Sequence, residues 1–427
     1  MAPGSTQLQP AMAEATPAEP FGPEGLPLEE ARRRILAALQ PLGRHERLPL
    51  AQALGRTTAQ PVLAAAAVPG FRAAIMDGYA IAGAAVAEAG SRWRLVGRSA
   101  AAAPYGRALA PGEAVRINTG SVLPEGSERV LPQELVELQG ERLELVKPCG
   151  ANPWIRNPDE EAAPGQELVA AGQQLGVAEL GRLASCGVRE LSVMGRPRLG
   201  LLISGDELVP AGVERGPGQI WESNSALLTA LLNRLGYGVA ERRVVVDQPE
   251  PLRAALRELA AACDVVVSTG GVSAGDSDWI RPLVEELGQV RFWKLFLKPG
   301  RPFAWGQVAG VPFFGLPGNP VAAAVTALQL LWPALQRLEG AAPQPLPRLK
   351  VQLEAPLRRA AGRPELARAT LVVGPAGELL ARVAGSQASS RIGSLQGADL
   401  LLEIPAELGS LEAGAQLWAQ LLRLPVL

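Results

Sequence analysis

The chain has 427 residues, 48% of them hydrophobic, and 41 Lys and Arg against 42 Asp and Glu give a net charge of −1. That length holds roughly two to four domains, and the charge balance argues against nucleic acid or an anionic membrane as the main partner. No uninterrupted apolar run reaches bilayer-spanning length and the first basic residue is Arg32, so a soluble, cytoplasmic protein without a targeting peptide is expected.

Residues 1–26 are rich in Pro and Ala, lack apolar periodicity and read as a disordered tail. From Pro27 to Leu42 the stripe Ile35, Leu36, Leu39 and Leu42, with acids in the first turn, predicts a helix, and a second is expected over Leu48–Leu54. Residues 61–150 change to short alternating runs punctuated by Pro and Gly, the mark of a small β-domain. Helical periodicity returns over 151–195 in "VAELGRLASCG". Residues 27–60 and 151–195 therefore read as one helical domain with the β-domain 61–150 inserted into it.

From Arg196 strands and helices alternate. "RLGLLIS" is a strand, "SNSALLTALLNRLG" a helix capped by Asn224, "GVAERRVVV" a strand, "PEPLRAALRELAAA" a helix, and "CDVVVSTGG" a strand. A helix around Trp279–Leu287, strands in "VRFWKLFL" and "PFAWG", and "VPFFGLPGNP" running into a helix over Val321–Leu338 complete residues 196–342. The spacing implies a three-layer α/β domain, its sheet mostly parallel and covered by helices on both faces. "AAPQPLPR" is a linker, and residues 343–427 read as a C-terminal β-domain.

The cysteines, Cys149, Cys186 and Cys263, match no zinc or disulfide spacing, and His45 is the sole histidine. Multi-histidine zinc sites and Ser-His-Asp chemistry in the α/β core are thereby disfavoured. Carboxylates, hydroxyls, Lys/Arg and a metal are left to carry any chemistry. Three strand-to-helix loops offer them: Ser204-Gly205-Asp206-Glu207; Thr269-Gly270-Gly271-Val272-Ser273 with Asp276 and Asp278; and Gly315-Leu316-Pro317-Gly318-Asn319-Pro320. Glycines admit an anion to backbone N–H groups, and a helix start adds partial positive charge. Asp206, Glu207, Asp276 and Asp278 are hard oxygen donors suited to Mg²⁺. Lys298 beside Arg301 is a candidate phosphate or oxyanion contact, with an ordinary surface lysine the equal alternative. Taken singly each loop reads as a turn as readily as a site; together they suggest phosphoryl or nucleotidyl chemistry. Neither a Rossmann nor a Walker glycine pattern is present.

"LISGDEL", "TGGVSAGDSDW", "FWKLFLKPGRPFAWG" and "FFGLPGNPVAAAVT" closely resemble the molybdopterin molybdenumtransferase family, to which the gephyrin E domain is related. "VPGFRAAIMDGYA", "RINTGSVLPEG" and "LASCGVREL" resemble family segments in the family order. The resemblance implies a homodimer of elongated subunits: a helical domain with an inserted β-domain, a molybdopterin-binding α/β domain, and a C-terminal β-barrel-like domain. It implies insertion of molybdate into adenylated molybdopterin with release of AMP, using Mg²⁺. Asp206 and Asp276 would be metal ligands; Asp247, Asp278 and Glu207 would act at the phosphoanhydride; and Thr119 and Glu161 would reach the site across the dimer. Gly270, Gly271, Val272, Ser273, Lys298 and Arg301 would hold the anionic substrates, and Pro317, Gly318, Asn319 and Pro320 the wall beside the dithiolene. Arg72-Ala73-Ala74-Ile75 departs from the family's Asp-Asn-Ser-Ala, and Asp159-Glu160-Glu161 from Gly-Glu-Asp. The competing readings are a molybdopterin-binding scaffold without turnover and another nucleotide-handling enzyme on the same α/β domain.

Overall fold

A computed structural model describes residues 25–83, 87–271, 279–383 and 385–423. The chain divides into two compact units, one of residues 47–54 and 60–191, the other of the remaining described residues.

The second of these units is built on a six-stranded sheet. Its strands are β1 Leu199–Ser204, β2 Val239–Val245, β3 Val265–Thr269, β4 Gly288–Trp293, β5 Ala304–Val308 and β6 Val311–Leu316. The order across the sheet is β2-β1-β3-β6-β5-β4. The pairs β1–β2, β1–β3 and β3–β6 are parallel, and β5 and β4 close the far edge antiparallel. Central parallel strands are covered on both faces, so they read as unbroken apolar runs. Leu199 to Ile203 and Val265 to Val267 accordingly have no exposed side chain.

On one face lie α1 Leu28–Ala38, α2 Asn224–Arg234 and the long helical stretch Pro320–Glu339, which share a core with Leu201, Val267 and Phe314. On the other, α3 Pro249–Ala262 and α4 Ile280–Leu287 pack with Leu202, Val266 and Phe313. Pro320–Glu339 is the one helix among the described residues long and apolar enough to cross a membrane, and 89% of its apolar window is buried inside the protein. Leu26, placed in the N-terminal tail by the sequence, is buried and its N–H donates to Lys294 O, while residues 1–24 of that tail lie outside the described residues. The second helix expected over Leu48–Leu54 is absent. His45–Pro49 is extended and only Leu50–Gln52 makes a 3-10 turn, because Pro49 has no N–H to join a helical ladder.

The C-terminal region forms a closed barrel from Arg348–Leu353, Leu379–Arg382, Glu365–Val373, Leu400–Ile404 and Gln416–Leu421, in that order. Closure leaves no sheet edge for another chain to pair with. Its interior is filled by residues such as Val351, Leu402 and Ala419.

The other unit carries a second six-stranded sheet, ordered Arg129–Pro132, Gly78–Ile81, Glu113–Ile117, Arg92–Ser99, Arg142–Leu145, Val136–Gln139. Downstream, only Val177–Ser185 of the 151–195 segment is helical; Ile155–Arg156 and Glu167–Val169 are short strands. Glu113, nearly buried at the start of a central strand, accepts bonds from Arg107, Arg94 and the Ala110 N–H. Arg107 first, then that N–H, hold its carboxyl down at about 2, against 4.5 when free. A depressed folded pKa stabilises above the unfolded value and loses that stabilisation as pH falls. The melting temperature of this unit should therefore fall between pH 4.5 and about 2, and Glu113→Gln should flatten the fall. Thermal unfolding against pH for both proteins checks this, and an unchanged slope in the variant would remove Glu113 from the account.

Candidate active site

The site forms where the four parallel strands end. Ligands of open α/β sheets bind at the carboxyl edge, since the loops there lead into helix starts. Here β1 delivers Ser204-Gly205-Asp206-Glu207, β2 delivers Asp247, β3 delivers Thr269-Gly270-Gly271 and β6 delivers Pro317-Gly318-Asn319.

Backbone geometry brings these loops together. Gly270 has φ +88°, and a Cβ there would stand 2.5 Å from Ser204 O. A Cβ on Gly318 would lie 3.5 Å from Gly270 Cα, so the β3 and β6 loops touch through glycine alone. Asn224 ties the same two loops from beneath: its Nδ2 donates to Gly318 O at 2.8 Å and to Thr269 Oγ1 at 3.3 Å. The sequence suggested Asn224 as a helix cap. Instead its side chain turns into the protein, and Glu222 Oε1 takes the Ser225 N–H at the helix start. Among the described residues the hydroxyls of Ser204 and Ser225 and Oδ1 of Asn224 are buried without partners. Such orphaned polar atoms are costly unless a ligand or water meets them.

The carboxylates are grouped in part. The Asp247 N–H donates to Asp206 Oδ1 at 3.0 Å, which joins the ends of β2 and β1, and Asp206 and Glu207 are solvent-exposed. Among the described residues no three His, Cys, Asp or Glu side chains cluster as a metal site. Val272, Ser273, Asp276 and Asp278 lie outside the described residues.

The barrel supplies residues that no sequence motif announces. Ser389 Oγ accepts from Asn319 Nδ2 at 3.0 Å, and Ser389 O takes the Val321 N–H. Lys298 N–H donates to Pro364 O and Lys298 O accepts from Leu366 N–H, which stitches the "LKPGRP" turn to a barrel strand. Gly300 permits that turn to sit on the long helix, for a Cβ would meet Thr326 Cγ2 at 2.7 Å. Between turn and barrel opens a cavity of about 530 Å³, lined by Lys298, Arg301, Arg358, Arg359 and Arg363 with Glu365. Nearby Arg368 is buried, its guanidinium pKa pulled down by desolvation, and its Nη1 has no partner among the described residues. Five cations against the one acid Glu365 give the cavity lining a net positive charge. No local motif in the sequence announces Arg359, Arg363 or Ser389, because they come from strands and turns distant in the chain.

Thr119 and Glu161 belong to the other unit. The Thr119 N–H and hydroxyl both donate to Asp77 Oδ1, at 2.7 and 3.0 Å, and hold that carboxyl below its usual range. Glu161 accepts from Arg182 at 3.2 Å. Arg72 donates to Ser127 O at 2.9 Å, in its own unit.

Comparison with known proteins agrees with this architecture. Residues 26–187 match the MoeA N-terminal region (domain I and II), 200–337 a family described as a probable molybdopterin binding domain, and 350–422 the MoeA C-terminal region (domain IV). The molybdopterin molybdenumtransferase of Haemophilus influenzae is 32% identical over 91% of this chain and 96% of its own. Gephyrin of Dictyostelium discoideum is 28% identical over 93% of this chain and 62% of its own length. A crystal structure of the molybdopterin biosynthesis MoeA protein from Pyrococcus horikosii superposes with a TM-score of 0.75, at 28% identity, covering 93% of this chain and 99% of that one. In sequence, domain order and fold, the chain belongs to the molybdopterin molybdenumtransferase family, enzymes of molybdenum cofactor biosynthesis.

Proposed function

We propose that the protein inserts molybdate into adenylated molybdopterin and releases AMP. The observation that carries this reading is the juxtaposition of two anion-binding features in one unit: glycine loops at the carboxyl edge of the sheet, and the basic cavity beside Lys298. Asn319 of the β6 loop is bonded to Ser389, two residues along the chain from Gln387 of the cavity lining. A substrate with a phosphoanhydride and an oxyanion co-substrate need two such features side by side.

In this reading the amides of Gly270 and Gly271, with Val272 and Ser273, receive the phosphates, and Lys298 and Arg301 draw in molybdate. Pro317, Gly318, Asn319 and Pro320 form the wall beside the dithiolene, whose thiolates displace oxygen from molybdenum. Asp247, Glu207 and Asp278 orient water toward the phosphoanhydride. Asp206 and Asp247, adjacent at the strand ends, are donors of the hard type that Mg²⁺ takes, joined by Asp276 and Asp278. Bound there, Mg²⁺ would supply charge neutralisation at the phosphates.

Thr119 and Glu161 complete the partner subunit's site in a two-fold dimer, Thr119 held in place by Asp77. Light scattering should give a dimer at micromolar concentration; a fully active monomer would refute this. The substrates are small molecules, with no nucleic acid or membrane as partner, and the setting is cytoplasmic. Complementation of a strain lacking molybdenum insertion tests the function. The altered Arg72–Ile75 segment favours the second reading, a scaffold that binds molybdopterin without turnover, and such a scaffold would fail to complement.

A further inference from the structure

The basic cavity contains one acid, and its position is unusual. Glu365 is the first residue of the barrel strand Glu365–Val373, and its side chain is 5% exposed. One carboxylate oxygen lies 3.0 Å from Lys298 Nζ and the other 3.2 Å from Arg359 Nε. The two cations differ in what they have left to offer. Arg359 is as buried as Glu365, and its remaining nitrogens donate to Arg363 O, Pro405 O and Leu408 O, so it is a fixed part of the wall. Lys298 is 46% exposed at its side chain, faces the cavity and can swing toward an arriving anion. Its main chain cannot follow, because Lys298 N–H and C=O are both bonded to the strand that carries Glu365.

From this geometry we infer that Glu365 is a built-in counter-anion: a specificity-determining residue that competes with the incoming oxyanion for Lys298. The inference rests on the reading of the cavity as the oxyanion site. With Glu365 in place, an anion must share the Lys298 ammonium with a carboxylate that is anchored and cannot leave. Repulsion from that carboxylate weakens every anion, and it raises the requirement for contacts beyond charge. An oxyanion that ligates the neighbouring dithiolene gains such contacts, whereas sulfate gains none. The carboxylate thus keeps abundant inert oxyanions from filling the cavity and lets the bound one move on. The same acid, through Arg359, is part of the barrel wall, so a purely structural role is the rival explanation.

Two substitutions separate these roles. Glu365→Gln keeps the shape and removes the charge; Glu365→Asp keeps the charge and disturbs the packing. Molybdate and sulfate binding to the full chain is measured by titration calorimetry, with thermal melting to confirm folding. We expect Glu365→Gln to bind both anions about tenfold more tightly, since an adjacent like charge in a partly buried site costs an anion on that order. Glu365→Asp should bind like the natural chain or differ by less than about threefold. AMP release by Glu365→Gln should become sensitive to sulfate at concentrations the natural enzyme tolerates. Equal changes in both variants, or none in either while the natural chain binds molybdate, would overturn the role of Glu365. If no protein binds molybdate or sulfate in this cavity, as judged with Arg363→Ala as a reference, the oxyanion reading itself falls and the inference with it.

Discussion

Replacing Asp247 by asparagine is expected to cut AMP release from adenylated molybdopterin by about 10²-fold or more, with the substrate still bound. Asp247 follows β2, and its N–H holds Asp206 at 3.0 Å, so its side chain emerges at the same edge as the glycine loops. Asparagine preserves that backbone bond and the side-chain shape, and removes only the charge. A lost charge at a phosphoanhydride removes water orientation and a hard metal donor together, while phosphate contacts through glycine amides remain. Equilibrium binding and single-turnover AMP release, measured on the same preparation, separate the two. Unchanged turnover would remove Asp247 from the chemistry.

Gly270→Ala should be the most damaging single-atom addition in the site. The residue sits at φ +88°, where an L side chain is strained by about 1–3 kcal/mol. Its Cβ would also stand 2.5 Å from Ser204 O, a distance that backbone atoms must move to relieve. β3 lies between β1 and β6, so a move away from Ser204 drives the loop toward Gly318, and the loop must leave its place at the strand end. We expect at least about a tenfold loss of adenylated molybdopterin affinity, with the sheet intact because β3 ends one residue earlier. Gly181→Ala is the control: it lies within the helix Val177–Ser185 with open space around it and an ordinary φ. Alanine there should be neutral or stabilise by about 0.5–1 kcal/mol. Full substrate affinity in Gly270→Ala would show that the loop geometry is not what binds phosphate.

The α/β sheet was legible because buried parallel strands are written as apolar runs and each ends in Gly, Ser or Asp. "DVVVSTGG" and "FFGLPGN" carry both marks, and the structure sets their loops side by side. Three features were not legible, for separate physical reasons. Asn224 resembles a cap in one dimension, since a helix start and a buried bridge both favour asparagine; only the fold shows which side it faces. Glu365 and Arg359 pair at close range in sequence, but their meeting with Lys298 depends on the barrel docking against the "LKPGRP" turn. Apolar spacing over Leu48–Leu54 resembles a helix, but Pro49, which has no N–H, leaves only a 3-10 turn there. Loops at strand ends could thus be read; contacts made by docking of the barrel could not.

Single-turnover AMP release, titrated with molybdate, is the most direct test of molybdenum insertion. Purified full chain is mixed with adenylated molybdopterin and Mg²⁺, and AMP and pterin-bound molybdenum are counted together. AMP release is expected to saturate with molybdate, near one equivalent per site, with molybdenum appearing on the pterin in equal amount. Tight binding of the adenylated pterin with no molybdate-dependent AMP would contradict it, and would make the protein a scaffold.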